Sequence, residues 1–362
     1  MQITAAVAPE PGAEFVLETV ELDEPRADEI LVRVTASGLC HTDLITKDDP
    51  RRREPVVLGH ESTGTVERVG AEITGIRPGD RVALSYRSCG ACRRCAAGDR
   101  AYCARARRLN GSGRRPDGSP TLTWRGAPLG GSFFGQSGFA TYALATADNA
   151  VVLPDAVDPL VAAPLGCGFQ TGAGAVLNVL RPAPEDSLVV FGAGGVGLAA
   201  LLAARAAGVR TTIAVDVLPE RRALALRLGA GAALDPGADD LVARVRELTG
   251  GGATHALEAT GLAPVFEQAL AALGATGALT VVGLGAASAR LDLRDLLHRG
   301  KTVRGCIEGD AVPQRFIPEL LALHAAGRFP VAELVTAYAF ADINRAVADQ
   351  RAGRVLKPVL TW

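Results

Sequence analysis

The stretch "SLVVFGAGGVGLAALLAARAAG", Ser187 to Gly208, constrains the fold more than any other. A short apolar run meets Gly192, Gly194 and Gly197 and then continues as an alanine-rich helical pattern. Glycines at that spacing permit a tight turn, close approach of a pyrophosphate to backbone N–H groups, and close packing of helix on strand. A turn of this kind joins a parallel strand to its crossover helix, so strand and helix should go on alternating around it. "SLVVF", "TTIAVD", "AALD", "THALEAT", "ALTVVG" and "TVRGC" do alternate with helical patterns such as "PERRALALRLG" and "LAPVFEQALAALG". Six such strands predict a doubly wound parallel sheet over about 187–306. Asp216 ends the second strand, nineteen residues after Gly197. A carboxylate there accepts hydrogen bonds from both adenosine ribose hydroxyls and repels a 2′-phosphate. The expected cofactor is NAD, with Gly192, Gly194, Gly195 and Gly197 forming its phosphate turn; the alternative is a glycine turn in an ordinary α/β protein.

Residues 1 to about 150 read differently. "ILVRVTASG", "TGTVERVG", "GDRVALSY" and "FATYALA" are short runs with partial period-two alternation, broken by glycine and proline, and predict a β-rich region. Arg105–Gly131 reads as the one long polar loop. With 38 basic and 39 acidic residues the charges balance, so nothing overall points to a nucleic-acid or membrane partner. The apolar run Leu188–Ala204 is too short and glycine-rich for a membrane span, and the first residues carry no export signal. A cytoplasmic protein is expected.

Seven cysteines, an odd count without an export signal, argue against a disulfide framework. Four of them, Cys89, Cys92, Cys95 and Cys103, fall in "CGACRRCAAGDRAYC" with gaps of two, two and seven. Short turns can bring four such thiolates onto one tetrahedral ion, and a site closed by four sulfurs is structural. An iron–sulfur cluster and a surface loop with incidental thiols are the alternatives. The lobe is arginine-rich, which would suit nucleic acid, but it lacks the interleaved aromatics of a single-strand binder, and arginines can offset the charge of a four-thiolate zinc.

Only five histidines occur in 362 residues, and two lie close together in "SGLCHTDLI" and "VVLGHESTG". A catalytic zinc needs three protein ligands and one open position. Cys40, His60 and Cys167, the last in "APLGCGFQTG" just before the nucleotide sheet, supply two thiolates and an imidazole. That order along the chain brings metal and nicotinamide to one cleft. Buried cysteines around a core histidine would be the bland reading of any one of these residues.

At this point the chain resembles the zinc-dependent medium-chain alcohol dehydrogenases over essentially its whole length, in "GLCHTD", "LGHESTGTVERVG", "CGACRRCAAGDRAYC", "GCGFQTG", "GAGGVGLAA" and "GRVLKPVL". The resemblance implies an α/β protein with a GroES-like, β-rich catalytic domain, 1–168 and 308–362, and a Rossmann NAD-binding domain, 169–307. It implies two zinc ions per subunit, on the two ligand sets above. Asp43 and Glu61 match acids behind the ligands, and Asp43 could hold the spare ring N–H of His60. Thr42 matches the hydroxyl that bonds the substrate alkoxide. His41 and Lys357 match pyrophosphate contacts, Arg221 the cation beside the adenosine ribose, and Thr171 and Val196 the residues packing on the nicotinamide. Ile45 stands where many members carry a relay histidine, so water or His41 must drain the proton. Tyr86, Phe133 and Phe134 fall at pocket-lining positions, and the flanking stretches look most like the aryl-alcohol (benzyl alcohol) branch. The implied activity is reversible NAD-linked oxidation of primary aromatic or allylic alcohols to aldehydes. Thiol-dependent formaldehyde oxidation, geraniol-type terpenoid oxidation and polyol or threonine oxidation are the alternatives. The partner is a small-molecule alcohol or aldehyde, and the assembly a homodimer or homotetramer.

Overall fold

The computed structural model describes residues 1–238 and 240–362. The chain divides into two units: Met1–Cys167 with Val312–Leu321 and Ala332–Trp362, and Gly168–Ala311 with Ala322–Val331. The segment 322–331 thus packs with the second unit, whereas the sequence reading gave everything after 308 to the first. Its Phe329 and Val331 are fully buried, and Arg328 Nη2 donates to the carbonyl of Ala206 at 2.5 Å.

The first unit is built on the strand Glu29–Gly38. Ile30, Val32, Val34 and Ala36 alternate along it and are all buried, Ile30 and Val32 against Val66, Val82 and Leu84 of neighbouring strands. Ser62–Val69 pairs antiparallel along one edge. The other edge is shared by Tyr142–Thr146 and by the chain's final strand, Lys357–Thr361, with Val359 opposite Gly38. Lys357–Thr361 therefore sits inside a sheet whose other strands come mostly from residues 29–152, with Val335–Ala339 pairing parallel on its far side. A second antiparallel sheet contains Gln2–Ala8 and Val16–Leu22, and the largest apolar cluster of the unit lies under it, around Leu39, Leu58, Phe139 and Leu360.

The polar segment Arg105–Gly131 is more ordered than its composition suggests. It forms the helix Ala106–Gly111 and a hairpin of Leu122–Trp124 with Ala127–Leu129 that extends the second sheet. Arg125 (φ 52°) and Gly126 (φ 77°) make the two-residue turn, both left-handed as such turns require. The anchor is Arg115, 3% exposed, whose guanidinium grips both oxygens of Glu29 (2.7 and 3.0 Å) and Asp23 (2.7 Å). A planar, always-charged fork suits that bidentate bond, but its partners lie more than eighty residues away in sequence, where no local pattern can announce them.

In the second unit six parallel strands, Ser187–Phe191, Thr211–Val215, Ala232–Leu234, Ala253–Glu258, Leu273–Val281 and Thr302–Gly305, stand in the order 3-2-1-4-5-6 counted along the chain. Every described pairing in this sheet is parallel. The apolar run Leu188–Ala204 is its first strand together with the helix Gly195–Ala206. Among the described residues no single helix is long and apolar enough to cross a membrane.

Candidate active site

Two groups of metal-ligand side chains assemble in the first unit. Cys40 ends the central strand's extension and precedes the helix His41–Asp48 in an extended N-cap conformation. Its N–H donates to Asp43 Oδ2 at 3.0 Å. Asp43, fully buried, also accepts from Gly59 N–H and from His60 Nδ1, at 3.0 and 2.9 Å, both through Oδ1. A carboxylate can only accept, so this contact puts the ring proton on Nδ1. His60 Nε2 is left buried and without a hydrogen-bond partner. Ligand atoms of Cys40, His60, Glu61 and Cys167 all lie within 4.8 Å of one another. A zinc about 2.3 Å from sulfur and about 2.0 Å from nitrogen separates tetrahedral ligand atoms by about 3.5–3.8 Å. The donor set, its spacing and the unpaired imidazole nitrogen fit that ion.

Electrostatics favour a thiolate at Cys40 but a protonated ring at His60, whose Nε2 must give up its hydrogen before it can hold a metal. Contact with Cys167 holds the Cys40 thiol well below the usual range; burial opposes this, while His60 and Lys357 add to it. Burial disfavours the charged His60 ring, but Asp43 and Cys40 outweigh it and hold its pKa well above the ordinary value. Burial pushes Glu61 up to about 7 against the pull of Lys357. Cys167 is delivered by the tight turn Ala163–Gly166, where Ser85 Oγ donates to the Gly166 carbonyl at 2.6 Å.

Lys357, given a pyrophosphate contact by the resemblance, has a buried side chain whose ammonium donates to both oxygens of Glu61, each at 2.9 Å, and to the Leu39 carbonyl. Burial disfavours this cation, but the carboxylate and nearby thiols raise its pKa above the usual lysine value. One buried positive charge therefore faces the acid behind the ligands, and all three of its hydrogens are engaged.

Thr42 Oγ1 lies 3.7 Å from Cys40 Sγ, and His41 and Ile45 occupy exposed positions of the same helix. Phe134 stacks on the His60 ring with centroids 4.5 Å apart, and Phe133 meets it edge-on at 5.4 Å. Tyr86 is buried one residue past Ser85. Sequence reasoning missed two buried amides that frame these rings. Gln136 accepts from Ser62 N–H at 3.2 Å and donates to the carbonyls of His60 (2.9 Å) and Ser85 (3.2 Å). Asn149 donates to Ser85, Phe134 and Gly135 carbonyls. An amide in a polar turn gives no signal of such a role until its distant partners are known.

The second group is Cys89, Cys92, Cys95 and Cys103. Sulfur separations are 3.5 Å for Cys92–Cys95 and 4.0 Å for Cys89–Cys95 and Cys92–Cys103. Four sulfurs about 2.3 Å from one tetrahedral centre would stand about 3.8 Å apart. Backbone N–H groups of Cys95 and Ala104 lower the Cys92 thiol to about 6, whereas burial pushes Cys95 up to about 12.

In the second unit Gly192 (φ 95°) turns the chain from the first strand into the helix Gly195–Ala206, so Gly194, Gly195 and Val196 lie at that helix's amino end. A Cβ on Gly197 would stand 1.8 Å from the Gly192 carbonyl, so only glycine allows this packing. Asp216 accepts from Ala193 N–H at 2.8 Å and Leu218 N–H at 2.9 Å, which fixes its carboxylate beside the glycine turn. Arg221 Nη1 is 3.7 Å away. Thr171 lies on the helix Gly168–Gly174, whose Gly172 abuts the Val196 carbonyl.

Comparison with known proteins agrees with this geometry. Residues 26–155 match the family described as alcohol dehydrogenase GroES-like domain, and 195–326 the family described as zinc-binding dehydrogenase. A geraniol dehydrogenase from Castellaniella defragrans is 47% identical over 99% of this chain and 97% of its own. Among solved structures, benzyl alcohol dehydrogenase from Acinetobacter calcoaceticus superposes with a TM-score of 0.96 at 44% identity, covering 100% of this chain and 99% of that one. An alcohol dehydrogenase zinc-binding domain protein from Burkholderia ambifaria gives 0.97 at 49% identity with the same coverage.

Proposed function

Because this chain belongs to the zinc-dependent medium-chain alcohol dehydrogenases, we propose that it oxidises primary aromatic or allylic alcohols to aldehydes, reversibly and with NAD. One zinc would sit on Cys40, His60 and Cys167 and a second on Cys89, Cys92, Cys95 and Cys103. The observation that carries this reading is the buried His60 ring. Its Nε2 is turned by Asp43 toward the two thiols while two phenyl rings pack on it.

Bound at these residues, zinc supplies Lewis acidity that lowers an alcohol's pKa, and NAD supplies the hydride acceptor. The chain's residues do the rest. Asp43 fixes the His60 tautomer, and the Lys357–Glu61 pair balances charge behind the ligands. The Thr42 hydroxyl exchanges a hydrogen bond with the substrate oxygen and shares its proton. Ile45 carries no proton, so release runs through water or His41. Tyr86, Phe133 and Phe134 give the substrate an apolar wall that excludes water. A homodimer or homotetramer acting in the cytoplasm completes the proposal.

The substrate class is tested by initial rates on benzyl alcohol, cinnamyl alcohol, geraniol, ethanol and sorbitol. Removing about 100 Å² of additional apolar surface from water contributes about 2.5 kcal/mol, close to 100-fold in kcat/KM. Benzyl or cinnamyl alcohol should therefore exceed ethanol by roughly that factor, and Phe133→Ala should narrow the gap by weakening the aromatic substrate. Ethanol matching benzyl alcohol, or sorbitol exceeding it, would contradict the aromatic assignment. Geraniol in first place would favour the terpenoid reading, which the 47% identical geraniol dehydrogenase supports.

Asp216 should exclude NADP by placing a fixed carboxylate where a 2′-phosphate must lie. Asp216→Gly is expected to weaken NAD and to relieve the exclusion, moving the NAD-to-NADP ratio of kcat/KM by about 100-fold or more. Equal efficiency with both cofactors in the unaltered enzyme would show that Asp216 does not face the ribose.

A further inference from the structure

The three rings proposed to line the substrate pocket hang on two backbone segments, Ser85–Tyr86 and Phe133–Gly135, that are far apart in sequence. One buried side chain spans both. Asn149, fully buried in the turn between Tyr142–Thr146 and Ala150–Val152, accepts at Oδ1 from the Thr146 N–H at 3.0 Å, while the Thr146 hydroxyl, 3.1 Å from that oxygen, directs its single hydrogen to Asp148 Oδ1 at 2.5 Å. The backbone donor sets the amide's orientation, so its hydrogens face the other way. There Nδ2 donates to the carbonyls of Phe134 and Gly135, each at 3.2 Å, and at 3.4 Å to that of Ser85.

Phe134 has φ 52° and ψ 28°, a left-handed conformation that phenylalanine rarely adopts, and Gly135 follows at φ 65°. Such a conformation persists only where surrounding contacts over-determine it. The backbone at Phe134 sets where its ring lies, and that ring is the one stacked on His60. Without the Asn149 donor, two inward carbonyls would be left unpaired, and the elbow would relax toward ordinary backbone angles. His60 itself is held by Asp43 and by Gln136 on its carbonyl, so it would stay in place while the ring departs.

We propose that Asn149 is a positioning residue that sets the preference for aromatic alcohols by fixing the Phe134 ring against His60 and the Tyr86 segment beside it. This rests on the alcohol-oxidising reading of the Cys40–His60–Cys167 site. The test compares Asn149→Ala with the unaltered enzyme in zinc content, in kcat and KM for benzyl alcohol and ethanol, and in the rate of catalytic zinc release to a chelator. Two zinc ions should remain per chain. Benzyl alcohol should lose about tenfold in kcat/KM, carried by KM, while ethanol loses less than about threefold. Zinc release should quicken by about tenfold once the ring no longer shields the site. Equal losses on both alcohols would mark a merely structural role and overturn the proposal, as would an unchanged ratio together with an unchanged release rate.

If Asn149→Ala does not fold, Asn149→Ser keeps a small polar side chain that is too short to reach the Phe134 and Gly135 carbonyls. It should show the same pattern at about threefold; an unchanged ratio and release rate there overturn the proposal. Should the unaltered enzyme oxidise none of the alcohols, the functional reading fails by itself, and the release rates still decide the role of Asn149.

Discussion

Cys40→Ser should leave a folded chain whose kcat/KM on benzyl alcohol is lower by about 10³-fold or more, because a metal acting as Lewis acid contributes several kcal/mol to such a step. Folding should survive for local reasons. Cys40 stands at the N-cap of His41–Asp48, where serine is among the preferred residues. The carboxylate of Asp43 continues to accept the backbone N–H of residue 40 and the ring N–H of His60. What disappears is one of two thiolates, and with it the tight hold on a divalent ion. Kinetics and far-ultraviolet circular dichroism on the same preparation check both halves: unchanged secondary structure with activity gone. Retention of more than about a tenth of the original rate would remove Cys40 from the ligand set.

Cys95→Ser should do the opposite. The lobe around it has a small core of its own, Cys95, Cys103 and Leu109 with Cys89, Cys92 and Ala106 packed against them. So few apolar side chains cannot offset the entropy of ordering the segment, and on the proposed two-zinc reading metal-binding free energy makes up the difference. Losing a ligand whose sulfur lies 3.5 Å from Cys92 and 4.0 Å from Cys89 should release that ion. A loss of several kcal/mol corresponds to a fall of about 10 °C or more in the melting temperature. Thermal denaturation with metal analysis reads this directly, and turnover per molecule that remains folded should be much less affected than in Cys40→Ser. A shift under about 2 °C with full zinc content would contradict a structural role for the four cysteines.

The four-cysteine set is written locally, whereas Cys40, His60 and Cys167 come together from across the chain. Cys89, Cys92, Cys95 and Cys103 carry their spacing on the chain, and the strand, glycine turn and Asp216 of the nucleotide sheet follow one another in order. Ser187–Phe191 and Thr211–Val215 were legible because a strand buried on both faces is an apolar run bounded by turns, whereas the exposed edge strand Thr302–Gly305 was legible only from its place in the alternation of strand and helix. What escaped sequence reading depends on partners far along the chain. Arg115 reads as one more arginine in a polar loop, yet its bond to Glu29 orders that loop and the hairpin after it. Lys357 gives no sign in sequence of its buried ion pair with Glu61, 296 residues away. Residues 322–331 lie within the stretch assigned to the first unit and pack with the second through Phe329 and Val331. Asn149 belongs to the same class, since only the fold brings Phe134, Gly135 and Ser85 to its amide.

The measurement that bears most directly on the central claim is zinc content against activity in one preparation, as a chelator removes metal. The fully active enzyme should hold two zinc ions per chain, and loss of the ion at Cys40, His60 and Cys167 should abolish oxidation of benzyl alcohol while the melting temperature falls little. Full activity in protein carrying one zinc ion or fewer per chain would contradict it.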